Sequence, residues 1–137
     1  MKSILIFITL AFTLSTYAQK DGVTVTVIVE NVPNDSGKVM LGLYDENTFM
    51  KAAPIVSANE KTTNKTVTFT ITNVQAGAYG ITCFHDENNN DQMDFEASGM
   101  PKESYGVSNN NMSFGPPQWE AAKFEVTGED LKLTIRM

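Results

Sequence analysis

The residues of this 137-residue chain best suited to chemistry run from 84 to 96, FHDENNNDQMDFE, and combine five carboxylates with three consecutive asparagines. Alternate residues of a tight loop point their oxygens inward, which is how such loops hold hard cations. Counted from Asp86, positions one, three and five are Asp86, Asn88 and Asn90, and position nine is Asp94. Gln92, at position seven, offers its backbone carbonyl. Position six, a glycine in calcium hands, is Asp91, a residue type that tolerates left-handed geometry. Position twelve is Ala97, with Glu96 one place early, so the loop is no helix-loop-helix hand. The expectation is a weak Ca2+ site with a Kd of ~10⁻⁴ to 10⁻³ M, the range of extracellular modules. The alternative is a plain turn, because Asp and Asn favour turns. Five mutually repelling carboxylates are a costly choice for a mere connector.

His85, the sole histidine, directly precedes the loop at a strand end. A structural hydrogen bond is its expected role; one imidazole without cysteine partners is poor grounds for a transition metal. A small envelope hydrolase pairing His85 with Asp86 or Glu103 is the rival chemistry. No serine sits in a nucleophile-elbow context to support it. Cys83, the only cysteine, alternates with core residues and reads as a small hydrophobe.

A second candidate surface is the stretch 95–119, FEASGMPKESYGVSNNNMSFGPPQW, rich in Gly, Pro, Asn and Ser. Loops of that length are usually functional or disordered, and its four aromatics argue for order. We expect an ordered loop folded back over one end of the domain. Tyr105, Phe114 and Trp119 are its candidate contacts with a protein or glycan; the alternative is that they anchor the loop to the core.

The elements that must position these groups are strands. VTVTVIVE places Val23, Val25, Val27 and Val29 on one face. KVMLGLYD, TVTFTIT and YGITCFH repeat the alternation, and AKFEV and LKLTIRM close the chain. NVPNDSG, NVQAG and TGED are turn signals. DENTFMKAAP has room for one helical turn, ended by Pro54. The fold class is therefore all-β: a single antiparallel β-sandwich of about seven strands, without repeats or a second domain.

MKSILIFITLAFTLSTYAQ at the start has the form of a signal peptide, with Lys2, an apolar run from Ile4 to Leu14, and small residues before a cut after Ala18. That leaves a domain over residues 19–137 with no later run long enough to span a membrane. Its charge is 9 − 16 = −7, since the cut removes one lysine. An acidic chain without a basic cluster argues against nucleic acid and anionic membranes. A lone cysteine means no internal disulfide, so the exported domain, periplasmic or extracellular, must rest on its core.

FTITNVQAGAYGITCFHDENNNDQMD, GMPKESYGVSNN and FGPPQWEAAKF together resemble the exported bacterial proteins known as the domain of unknown function 2141 family, from about Val25 to Ile135. The resemblance implies a small prealbumin-like or immunoglobulin-like β-sandwich and export in Gram-negative bacteria. The AGAYGI turn is similar to one in transthyretin-like modules. The hydrolases of that kind use several histidines and a carboxy-terminal serine motif, and this chain has neither. The leading expectation is thus a non-enzymatic exported module with a protein or glycan partner, its long loop braced by the cation-loaded acidic loop. A structural envelope subunit without a ligand is the remaining alternative.

Overall fold

The computed structural model describes residues 22–137. The signal peptide expected over residues 1–18 lies outside the described residues. Eight strands follow one another: β1 (Val23–Glu30), β2 (Lys38–Tyr44), β3 (Val56–Glu60), β4 (Val67–Val74), β5 (Gly77–Asp86), β6 (Tyr105–Val107), β7 (Phe124–Val126) and β8 (Leu131–Arg136). One helical turn, α1 (Trp119–Ala122), precedes β7.

Alternation assigns the faces. In β1 the four valines are buried and the residues between them are half-buried. In β4, Val67, Phe69 and Ile71 are buried while Thr68, Thr70 and Thr72 are exposed. One sheet has the order β4–β1–β8; the other has the order β3–β2–β5–β6, with β7 also paired to β5. Their inner faces enclose a single core that includes Val25, Val27, Leu41, Leu43, Phe69, Ile81 and Ile135. Each such side chain contributes roughly 1.5–3 kcal/mol by leaving water.

The pattern predicts antiparallel sheets throughout, but β1 and β8 run parallel, Val25 opposite Leu131 and Glu30 opposite Arg136. Period-two alternation assigns faces and says nothing of direction. Direction is decided by the 127–130 turn, which delivers the chain to the start of β1, where the Asp130 carboxylate accepts the Thr24 N–H at 2.9 Å. Two strands also lack a sequence signal. The edge strand β3 is largely exposed, and β6 has only three residues inside the predicted long loop.

That loop lies along the outer face of the five-stranded sheet, not over one end of the sandwich. Phe49, Val107 and Ala122 are buried there in a second small core, with Tyr44, Tyr105 and Trp119 packed around them. Phe49 reaches this position on the expected helical turn, its N–H donating to the Asp45 carbonyl at 2.9 Å. Hydrogen bonds from the Thr48 hydroxyl and backbone N–H hold the Asp45 carboxyl below its ordinary value. Gly80 leaves room for the rings: a Cβ there would sit 2.9 Å from Phe49 and 3.3 Å from Trp119.

Candidate functional site

The acidic loop starts where β5 ends. Asp86 is fully buried, and its two carboxylate oxygens accept the backbone N–H groups of Asn90 at 3.1 Å and Asp91 at 3.0 Å. Asn89 and Asp91 have φ of 56° and 62°, the left-handed geometry that Asn and Asp tolerate best among non-glycine residues. The Lys38 ammonium on β2 lies 3.9 Å from Asp86 and pairs with Asp91. That contact with Asp91, followed by the charge of Asp86, raises Lys38 above its ordinary value against the opposing effect of desolvation.

The remaining oxygens form a ladder. Asn88 and Asn90 turn their side-chain carbonyls to the N–H groups of Asn90 and Gln92, at 3.2 and 3.0 Å. Their amide nitrogens converge on one carboxylate, Asp94, at 2.7 and 2.9 Å. Gln92 joins only through its N–H, and Glu96 belongs to the next turn. Among the described residues no three His, Cys, Asp or Glu side chains are grouped to hold a metal ion.

Asp94 is also the first residue of a small hairpin. Its carbonyl accepts the Lys102 N–H at 2.8 Å, Phe95 bridges Pro101, and Glu96 and Met100 close the tip around Gly99. Glu103 ties the hairpin to the loop, its carboxylate accepting the N–H groups of Glu87 at 3.3 Å and Asp94 at 3.1 Å. Loop and hairpin thus share Asp94 and a carboxylate clamp.

The hairpin forms one wall of a cavity of about 550 Å³ on the outer face of the five-stranded sheet. The floor is Tyr44 from β2, Thr82 and Phe84 from β5 and Tyr105 from β6, with Phe84 and Tyr105 directly paired across strands. Met93, Phe95, Met100 and Pro101 form the wall braced by the acidic loop, and Met50, Pro116 and Pro117 complete the rim. Phe95 and Met100 remain 57% and 64% exposed. An outward sheet face is ordinarily polar; this one is an open apolar trough of ligand-site size.

The three aromatics expected at a partner surface separate. Tyr105 lies in the cavity floor, and Phe114 is fully exposed beside the rim. Trp119 packs on Phe49 with ring centroids 5.6 Å apart. Sequence reasoning missed Tyr44, Phe84 and the three methionines. The signal was present in β5, where Phe84 is apolar at an outward position between buried Cys83 and His85.

His85 is 1% exposed, and its Nε2 donates to the Ser36 carbonyl at 2.6 Å. Cys83 is buried against the Gly106 carbonyl, and burial pushes its thiol up to about 12. Neither group is presented to solvent.

A family model described as "uncharacterized protein conserved in bacteria (DUF2141)" matches residues 27–134. The chain belongs to this family. The match takes in the acidic loop, the hairpin and the whole cavity, so the DUF2141 domain and the site coincide. No curated protein and no solved structure matches the chain. Among the described residues of this DUF2141 protein, no helix is long and apolar enough to cross a membrane.

Proposed function

We propose that this DUF2141 protein is an exported, non-enzymatic binding module whose trough takes an extended apolar segment of a partner protein flanked by basic residues. The observation that carries this reading is the open apolar cavity on a sheet face that solvent should otherwise claim. Methionine-rich, aromatic surfaces suit varied apolar side chains because thioethers are flexible and polarizable. A glycan would need many hydrogen-bond partners, and the side-chain polar groups of the lining are only the Thr82 hydroxyl and the two tyrosines. Residues 86–104 carry six carboxylates, Asp86, Glu87, Asp91, Asp94, Glu96 and Glu103, against Lys102 alone, which favours basic flanks on the ligand. The hydrolase alternative has little support, because His85 faces the core and is committed to Ser36.

The test is fluorescence polarisation with three labelled probes: a peptide alternating Leu or Phe with Lys, its Glu-substituted counterpart, and an oligosaccharide. The basic peptide is expected to bind, and Phe95→Ala or Met100→Ala, both at exposed positions, to weaken it about tenfold. Preference for the sugar, or peptide binding indifferent to both substitutions, would overturn the reading.

The convergence of Asn88 and Asn90 on Asp94 favours a second component, calcium as a brace. A calcium ion would replace the two amide donors at the Asp94 carboxylate, with Asn88 and Asn90 turning their oxygens toward it. Asp86, already engaged by two N–H groups and Lys38, is the less adaptable member. At tenfold excess over its Kd, calcium would stabilise the fold by about 1.4 kcal/mol, a rise of several °C in Tm. Asp94→Ala should abolish that rise; unchanged melting together with no heat of binding in calorimetry removes the ion from the proposal.

A further inference from the structure

Three of the six methionines among the described residues, Met50, Met93 and Met100, line the trough. Met93 and Met100 flank the braced hairpin, and Met50 faces them from the far rim. Met50 and Met100 are more than half exposed. None of the three belongs to either buried core. Met50 also occupies a costly backbone position, with φ at 56°. Left-handed geometry disfavours every residue but Gly, Asn and Asp, so methionine stands at that rim position against local preference. Outside the trough, Met112 is the one other exposed methionine of the described residues, whereas Met137 packs against the core.

The thioethers are also the readily oxidised groups that an oxidant entering the trough would meet. Cys83, the only cysteine, is 2% exposed, and its burial keeps it from forming the reactive thiolate. A thioether is apolar and pliable; its sulfoxide carries a strong dipole and an oxygen acceptor. In this trough that oxygen would hold water, and an apolar ligand would have to strip the water away without returning a hydrogen bond. The frame beneath is untouched by such a change. The hairpin is held by backbone bonds at Asp94 and Lys102 and at Glu96 and Met100, and by the Glu103 carboxylate.

We propose that Met50, Met93 and Met100 are sites of reversible oxidation by hydrogen peroxide, and that their sulfoxides close the trough to its apolar ligand. The inference rests on the reading of the trough as an apolar binding site. In the step, a sulfur lone pair attacks the peroxide and the O–O bond breaks. One oxygen stays on sulfur as S=O, and the other leaves as water carrying both hydrogens. Sulfur gives up two electrons and the peroxide takes them. Methionine sulfoxide reductases reverse the change, so binding is lost and regained without unfolding.

The test compares each protein before and after peroxide, with Nile red, a neutral apolar dye, and the basic peptide as probes. Peptide mapping by mass spectrometry should find the added oxygen at Met50 and Met100, with Tm nearly unchanged. Affinity for both probes should fall about tenfold and return after treatment with a reductase. A Met50→Leu, Met93→Leu, Met100→Leu variant, whatever its starting affinity, should bind equally before and after peroxide, whereas Met112→Leu should lose affinity as the parent does. If the triple variant does not fold, Met100→Leu alone should show a smaller loss than the parent. Undiminished dye binding by the oxidised trough, an equal loss in the leucine variant, or a collapse of Tm would each overturn the inference. A dye response without any peptide binding would remove the peptide reading and still support this one; no dye binding at all would remove both.

Discussion

A buried carboxylate is tolerable where its charge is answered, and Asp86 shows how that is done at the scale of single residues. Two backbone N–H groups and the Lys38 ammonium meet it, with Asp91 on the other side of the same lysine. The positive partner that the crowd of acids calls for is thus supplied first from within the chain, by β2. The consequence is a pH dependence with a definite sign. Lys38 is raised above 10.5 by Asp91, so the stability it contributes is fully present below 10.5 and is lost as pH rises through the folded-state value. Urea midpoints measured from neutral pH to above 10.5 should fall faster in the parent protein than in Lys38→Met, which lacks the titrating group. Parallel curves would mean that the pair does not contribute to folding. His85 illustrates the opposite case: a residue with catalytic potential in the sequence becomes a core hydrogen-bond donor once Ser36 is beside it.

At the scale of elements, β5 organises the site. Gly80–Asp86 pair with β2 along one edge, while the other edge is shared, Gly77–Tyr79 with β7 and Thr82–Phe84 with β6. Ser108 fills the gap between those two partners. Its hydroxyl accepts the Ile81 N–H at 3.0 Å and donates to the Ala122 carbonyl at 2.5 Å, so one buried side chain joins β5, α1 and the turn after β6. Ser108→Ala leaves a buried donor unmet and should cost about 1–3 kcal/mol in urea unfolding. The Ile81 amide should also exchange with solvent faster; unchanged exchange would show that the hydroxyl is not its partner. The hairpin after the acidic loop depends on comparable joints, Asp94 and Glu103. This is why a charged loop can govern the shape of an apolar wall.

At the scale of the whole molecule, the two sheets divide the work. The three-stranded sheet closes the core with its inner face, whereas the five-stranded sheet closes it with one face and carries the trough on the other. Phe95 and Met100 lie on the exposed hairpin after β5 and outside the sandwich core, so substitutions there should weaken peptide binding and leave Tm nearly unchanged.

The β elements were legible because alternation is a local property. The valines of β1 and the Val67, Phe69, Ile71 face of β4 are assigned by their immediate neighbours in sequence. That Asp86, Asn88, Asn90 and Asp94 form one cluster could be expected for the same reason, since they lie within nine residues, but the hydrogen-bond ladder that joins them was not foreseen. The trough was not, because Tyr44, Phe84, Met100 and Pro117 are brought together by strand register and by what docks on an outward face, and neither leaves a local pattern. The parallel direction of β8 and the retreat of Trp119 onto Phe49 belong with the trough. Each depends on a partner distant along the chain, and only the packed molecule brings that partner near.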